Sequence, residues 1–254
     1  MVLLTRTVRF SLTPGVVPDR GPNGYAGNPA MIGLGAHYEL VVSCRGEIDP
    51  VKGYLINIKE IDAAVRAHAV PRIHAALGAG DAGETLREVV GGLPLAGLHS
   101  VRWKLSPYYS LEVKTEAPRT VLLRQKFDFC AAHRLHAPSL SAEENRRLYG
   151  KCNNPGGHGH NYQFEPCVAV TEAAAMPLAE LERIADEVVV QRFDHKNLNA
   201  DTAEFLDGSG LNPSVENIAR VCFELLGPAV ARPGAKLVSV TVWESDRTSC
   251  TYPG

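Results

Sequence analysis

Apolar and polar positions alternate over residues 37–45 (HYELVVSCR), the pattern of a strand buried on one face. GEIDPVKGYL then supplies a Pro-Gly turn, and IKEIDAAVRAHAV follows with Ile58, Ile61 and Val65 at helical spacing. The same order returns in the second half. HNYQFEPCVAV reads as a strand, and PLAELERIADEVVVQRF as a helix with Leu178, Leu181, Ile184 and Val188 on one face. Each stretch is followed by a second, shorter helix, GDAGETLREVV and PSVENIARVCFELLG, the latter stopped by Gly227 and Pro228. Each half closes on a strand pair built around a tryptophan, Trp103 or Trp243.

These patterns predict an α+β fold of two similar β-β-α-α-β-β units, 1–118 and 119–254, joined at the polar, proline-containing KTEAPRT. Gly and Pro cluster at turns, notably PDRGPNGYAGNP at 18–29. A four-stranded antiparallel sheet with helices on one face leaves open edges, which must be paired or protected. Sheets joining edge to edge into a barrel solve this, so a homo-oligomer is expected. The second unit has a shorter turn, with 19 positions between Tyr162 and Leu181 against 23 between Tyr38 and Ile61. Pro166 is expected to interrupt its strand.

The composition narrows the function classes. The chain has 254 residues, 26 basic against 28 acidic side chains, and 45% hydrophobic residues. That suffices for one large domain or two of about 125 residues each. A nearly neutral balance with no basic block argues against nucleic-acid binding. In MVLLTRTVRF, Arg6 and Arg9 follow too soon for a secretory signal, and no apolar run is long enough for a membrane span. A cytoplasmic protein with reduced thiols is expected. Its six cysteines, spread from Cys44 to Cys250 without a Cys-x-x-Cys pair, form no disulfide framework.

The candidate chemistry lies in AAHRLHAPSLSAEENRRLYGKCNNPGGHGHNY. His158 and His160 are two apart, and on a strand both imidazoles face one way; His133 ends the preceding strand and can approach from the neighbour. Three neutral imidazoles with an open fourth position suit a catalytic zinc ion. Cys152, six residues before His158 in a glycine-rich loop, is placed to act as a base or nucleophile near such an ion. Asp194 and His195 adjoin in FDHKNLN, where a carboxylate orients an imidazole and raises its basicity. Glu244, in VTVWESD, offers a carboxylate to paired N–H donors of a heterocycle.

Together GKCNNPGGHGHNY, the preceding AAH, DHKNLN, PSVENIA and WESD resemble the 6-pyruvoyl-tetrahydropterin synthase and 6-carboxy-tetrahydropterin synthase family, over about Phe127 to Tyr252. The resemblance implies the T-fold, whose units join around a tunnel. It also implies Zn2+ held by His133, His158 and His160, Cys152 as proton-transfer residue, and Asp194 and His195 as its partner dyad. Glu244 becomes the anchor of the pterin ring, and Ser214 of PSVENIA a substrate-binding residue. Five residues between Cys152 and the HGH triplet resemble the pyruvoyl branch, which implies a zinc-dependent lyase acting on 7,8-dihydroneopterin triphosphate. The carboxy branch of deazapurine and queuosine biosynthesis is the alternative, and a non-catalytic pterin- or zinc-binding scaffold the rival of another class. Lys151 and Arg134 are candidate triphosphate contacts.

The first half keeps the frame and loses the site. Aligning LGAHYEL with HGHNYQF sets Leu34 and Ala36 where His158 and His160 stand, and His37 at the register of Asn161. Lys104 follows Trp103 where Glu244 follows Trp243. One catalytic half and one structural half are expected.

Overall fold

Period-two burial builds the first sheet. Strands β1 (Val2–Leu12) and β2 (Ala36–Gly46) pair antiparallel with Phe10 opposite Tyr38, and bury Val8, Phe10, Leu40 and Val42. Strands β3 (Leu98–Lys104) and β4 (Tyr109–Lys114) extend the order to β1-β2-β3-β4. Asn57 and Asp81 cap two helical segments: α1 (Ile58–Ala64), continued through a π turn (Val65–Ala69) into α2 (Val70–Ala75), and α3 (Ala82–Gly92). This computed structural model describes residues 1–17, 27–171 and 175–254. Most of the Gly/Pro turn cluster expected at 18–29 lies outside them, as does part of the shortened turn after Val170.

The chain divides into two compact units, Met1–Leu123 with Val170–Ala173, and Arg124–Ala169 with Ala174–Gly254. Strand β5 (Val121–Gln125) straddles the division and is followed by β6 (Phe127–His133). In the second unit β6 pairs antiparallel with β7 (His158–Val170). Between them stand helix α4 (Ala142–Tyr149) and a 3-10 turn (Gly150–Asn153). After β7 come α5 (Leu178–Ala185), a π turn (Asp186–Val190), α6 (Gln191–Phe193), the short β8 (Lys196–Asn197) and α7 (Leu198–Asp201). Helix α8 (Val215–Val230) and strands β9 (Ala235–Ser245) and β10 (Thr248–Tyr252) complete the unit. Its strand order is β10-β9-β7-β6-β8, with β8 parallel to β6. The fold is mixed α+β, and each unit's sheet is open.

Several expectations need correction. Val188 is only half-buried and Val189 takes its place in the core, because the π turn adds a residue and advances the buried face. Helix α8 does not stop at Gly227 and Pro228 but runs to Val230. Pro228 and Glu224, whose carbonyl loses the proline's missing donor, are both exposed, so water can satisfy that group. At 16 residues α8 is not a short helix. Pro166 does not interrupt β7, which continues to Val170. Its ladder with β6 ends at Phe127 opposite Phe164, two residues earlier, and proline's fixed φ fits an extended chain. Among the described residues no helix is long and apolar enough to cross a membrane.

Candidate active site

The β6–β7 hairpin sets His133 opposite His158 and Ala131 opposite His160, so alternation turns all three imidazoles to one face. Their ligand atoms lie within 4.8 Å of one another. His133 Nε2 stands 3.1 Å from His158 Nε2, and Glu244 Oε1 lies 3.4 Å from His133 Nε2 and 3.5 Å from His160 Nε2. His133 is buried, and its Nδ1 is 2.7 Å from the Pro213 carbonyl and 3.2 Å from the Tyr162 hydroxyl. A carbonyl can only accept, so Nδ1 carries the proton and Nε2 is left bare toward the cluster.

Burial favours the neutral form of two of these rings. Burial pushes His133 down to about 4; the neighbouring His158 and His160 add to this, while the Pro213 carbonyl opposes it. Burial, then His160, lowers His158. Burial, helped by the charges of Glu244 and Cys152, raises Tyr162. Buried His158 Nδ1 and His160 Nε2 have no hydrogen-bond partner among the described residues. Three imidazoles, two of them with an unsatisfied nitrogen, beside a carboxylate fit a zinc ion by donor chemistry.

Cys152 is half-buried on the 3-10 turn after α4 and lines a cavity with His158. The turn is fixed from outside, since Leu135 N–H donates to the Cys152 carbonyl and the Asn153 side chain donates to the Leu135 carbonyl. Helix α4 was not anticipated, although Ser141 and Glu144 form a capping box that the sequence spells out. Ser214 caps α8 by accepting from Asn217 N–H, directly after the Pro213 that holds His133.

Asp194 and His195 form the expected dyad, with His195 Nδ1 2.7 Å from Asp194 Oδ2. Asp194 Oδ1 accepts from Cys130 N–H, which together with His195 holds its carboxyl below the usual range. His195 N–H donates to the Cys130 carbonyl at 2.6 Å, and His195 has a positive φ of 55 degrees. The structure does not bring this dyad to Cys152. His195 lines a cavity with Cys130, Asn161 and His160 that does not include Cys152, and Cys130 and Asn161 lie on the opposite hairpin face from the three histidines. The seat of the dyad is the parallel pairing of β8 with β6, and nothing in the local sequence signals it.

In the first unit the register places Phe10 opposite Tyr38 as Phe129 stands opposite Tyr162. Four residues beyond Phe129 is His133, and four beyond Phe10 is Pro14. His37 pairs with Ser11 as Asn161 pairs with Cys130. The tryptophans, however, are not equivalent. Trp103 points into the core, with its ring 5.3 Å from Tyr38, whereas Trp243 is half-exposed beneath Lys126. Strand phase therefore turns Trp103 inward and leaves Lys104 exposed, so the two tryptophans are out of phase with each other.

A mixed α+β fold whose sheet gathers three imidazoles and a carboxylate, with a thiol lining the cavity beside one of them, offers a candidate metal site. The sequence profile of 6-pyruvoyl tetrahydropterin synthase matches residues 122–254, and the chain belongs to this family. Human 6-pyruvoyl tetrahydrobiopterin synthase is 36% identical over 138 residues, which are 51% of this chain and 89% of that protein. The Dictyostelium discoideum protein of the same name is 36% identical over 140 residues, 54% of this chain and 98% of its own. The structure of Caenorhabditis elegans 6-pyruvoyl tetrahydropterin synthase aligns with 53% of this chain and 96% of that one, at 35% identity and a TM-score of 0.48.

Proposed function

We propose that the chain is a lyase of the 6-pyruvoyl-tetrahydropterin synthase type, acting on 7,8-dihydroneopterin triphosphate in the cytoplasm. Residues 119–254 form its catalytic unit, and 1–118 a duplicated unit without the site. The observation that carries the activity is the convergence of His133, His158 and His160 with Glu244 beside the Cys152 cavity. Duplication is supported by burial: Ile61, Ala64, Val65, Ala69 and Ile73 recur 120 residues later as Leu181, Ile184, Ala185, Val189 and Phe193, each helix carrying a π turn.

His133, His158 and His160 would hold Zn2+ through ring nitrogens. When bound there, zinc supplies Lewis acidity to the oxygens of the substrate's side chain. Cys152 takes and returns the side-chain proton, and the His195 imidazole, oriented by Asp194, relays it. Triphosphate leaves by elimination and the redox change stays within the substrate, so no nicotinamide or flavin is consumed. Glu244 accepts the pterin N–H donors, and Ser214, which caps α8 directly after Pro213, is assigned to the same substrate. Because Cys152 and the dyad line separate cavities of one chain, a homo-oligomer joins them by presenting the dyad of one copy to the cysteine of another. The open sheet edges supply the means of association.

Incubation with 7,8-dihydroneopterin triphosphate and mass analysis test the reading. A 6-pyruvoyl product with released triphosphate is expected. A 6-carboxy product would move the chain to the other branch, and no conversion by metal-loaded protein would contradict both.

A further inference from the structure

The cavity beside Cys152 and His158 has a volume of about 670 Å³ and no acidic residue in its described wall. Arg134, His136, Arg146 and Lys151 line it. None of these three cations forms an ion pair among the described residues, and a wall of one sign raises the local concentration of anions.

Two of the four side chains are held ready. Arg134 follows the metal-site residue His133, and Asn199 clamps its backbone by accepting from its N–H and donating to its carbonyl. Its Nε donates to the Asn153 carbonyl, leaving both terminal nitrogens without a protein acceptor among the described residues. Asn153 Nδ2 donates to the Leu135 carbonyl and lies 3.1 Å from His136 Nδ1. An amide N–H donor fixes that ring nitrogen as acceptor, so His136 Nε2 carries a proton to donate. Arg146 in the last turn of α4 and Lys151 on the following turn are exposed and complete the wall.

We propose that Arg134, His136, Arg146 and Lys151 form a polyphosphate subsite that receives the substrate's triphosphate beside Cys152. This rests on the lyase reading for the identity of the substrate, while the binding of a polyphosphate chain stands on the cavity alone. The planar Arg134 guanidinium, fixed at Nε, takes phosphate oxygens through two nitrogens; His136 adds a neutral donor, and Arg146 and Lys151 add charge at the mouth. The subsite makes the enzyme select phosphorylated over unphosphorylated pterins and holds the leaving group at the end of the side chain that reacts.

The test uses zinc-loaded protein and the exposed pair, whose replacement leaves the core intact. Magnesium tripolyphosphate and neopterin, a pterin without phosphate, are titrated calorimetrically into wild type and the Arg146→Gln, Lys151→Gln double variant, with metal content checked afterwards. The double variant is expected to bind tripolyphosphate at least tenfold more weakly and neopterin within twofold of wild type. An Arg146→Lys, Lys151→Arg variant should recover most of the tripolyphosphate affinity. Unchanged tripolyphosphate affinity, or equal weakening of both ligands, would overturn the subsite. Tight tripolyphosphate binding without turnover of the pterin triphosphate would uphold the subsite and defeat the lyase reading instead.

Discussion

Cys152 is the side chain on which the proposed proton transfer turns, and it lies outside the three converging imidazoles. Cys152→Ala is therefore expected to abolish triphosphate release while metal analysis still finds one zinc per chain; lost metal or undiminished turnover would reject its role. Glu244→Gln keeps the shape and removes the charge, and should weaken a pterin analogue by about 1.5–3 kcal/mol with little change in melting temperature. Unchanged affinity by calorimetry would remove Glu244 from the ring site. At this scale the sequence was most legible where spacing decides geometry. His158 and His160 had to share a face, and Tyr162, two further on, shares it too. The Pro213 carbonyl that sets the tautomer of His133 lies 80 residues away, beyond any local pattern.

The helices show which local rules yield to context. Their starts follow side-chain caps that can be read directly, Asn57, Asp81, Ser141 and Ser214 among them. Their interiors are less legible, because the π turns shift the buried face by one residue, and so a 3.6-residue period chooses Val188 where Val189 is buried. The two tryptophans share a sequence context but not a face, Trp103 being buried and Trp243 half-exposed, because residue type alone does not fix strand phase.

Helix α5 also carries a pH prediction. Arg183, then Arg232, holds the Glu180 carboxyl at about 2 against an ordinary 4.5. The unfolded chain thus takes up this proton first on acidification. Its contribution to stability is complete above pH 4.5 and lost as pH falls from there through 2. Melting temperature against pH should fall less steeply in Glu180→Gln across that window. An identical slope would mean these exposed pairs do not matter, as screening often ensures.

At the scale of the whole molecule, the proposal is of one frame used twice and equipped once. By the Phe10–Tyr38 and Phe129–Tyr162 register, Pro14, Leu34 and Ala36 stand where the second unit has His133, His158 and His160, so metal analysis should find one zinc per chain and none after His158→Ala. The strands and helices of both halves were legible because period-two and helical patterns recur in the same order. The position of the dyad was not, since it depends on which edge of β6 receives two residues of β8. The central claim is that catalysis resides in the second unit and is completed by a neighbouring copy. Mixing Cys152→Ala with His195→Ala chains, each inactive alone, after dissociation and reassembly tests it most directly. If each site takes its cysteine from one copy and its dyad from another, about a quarter of the sites in an equal mixture are intact, and activity should recover to that order. A mixture as inactive as its components, with subunit exchange verified, would contradict the account.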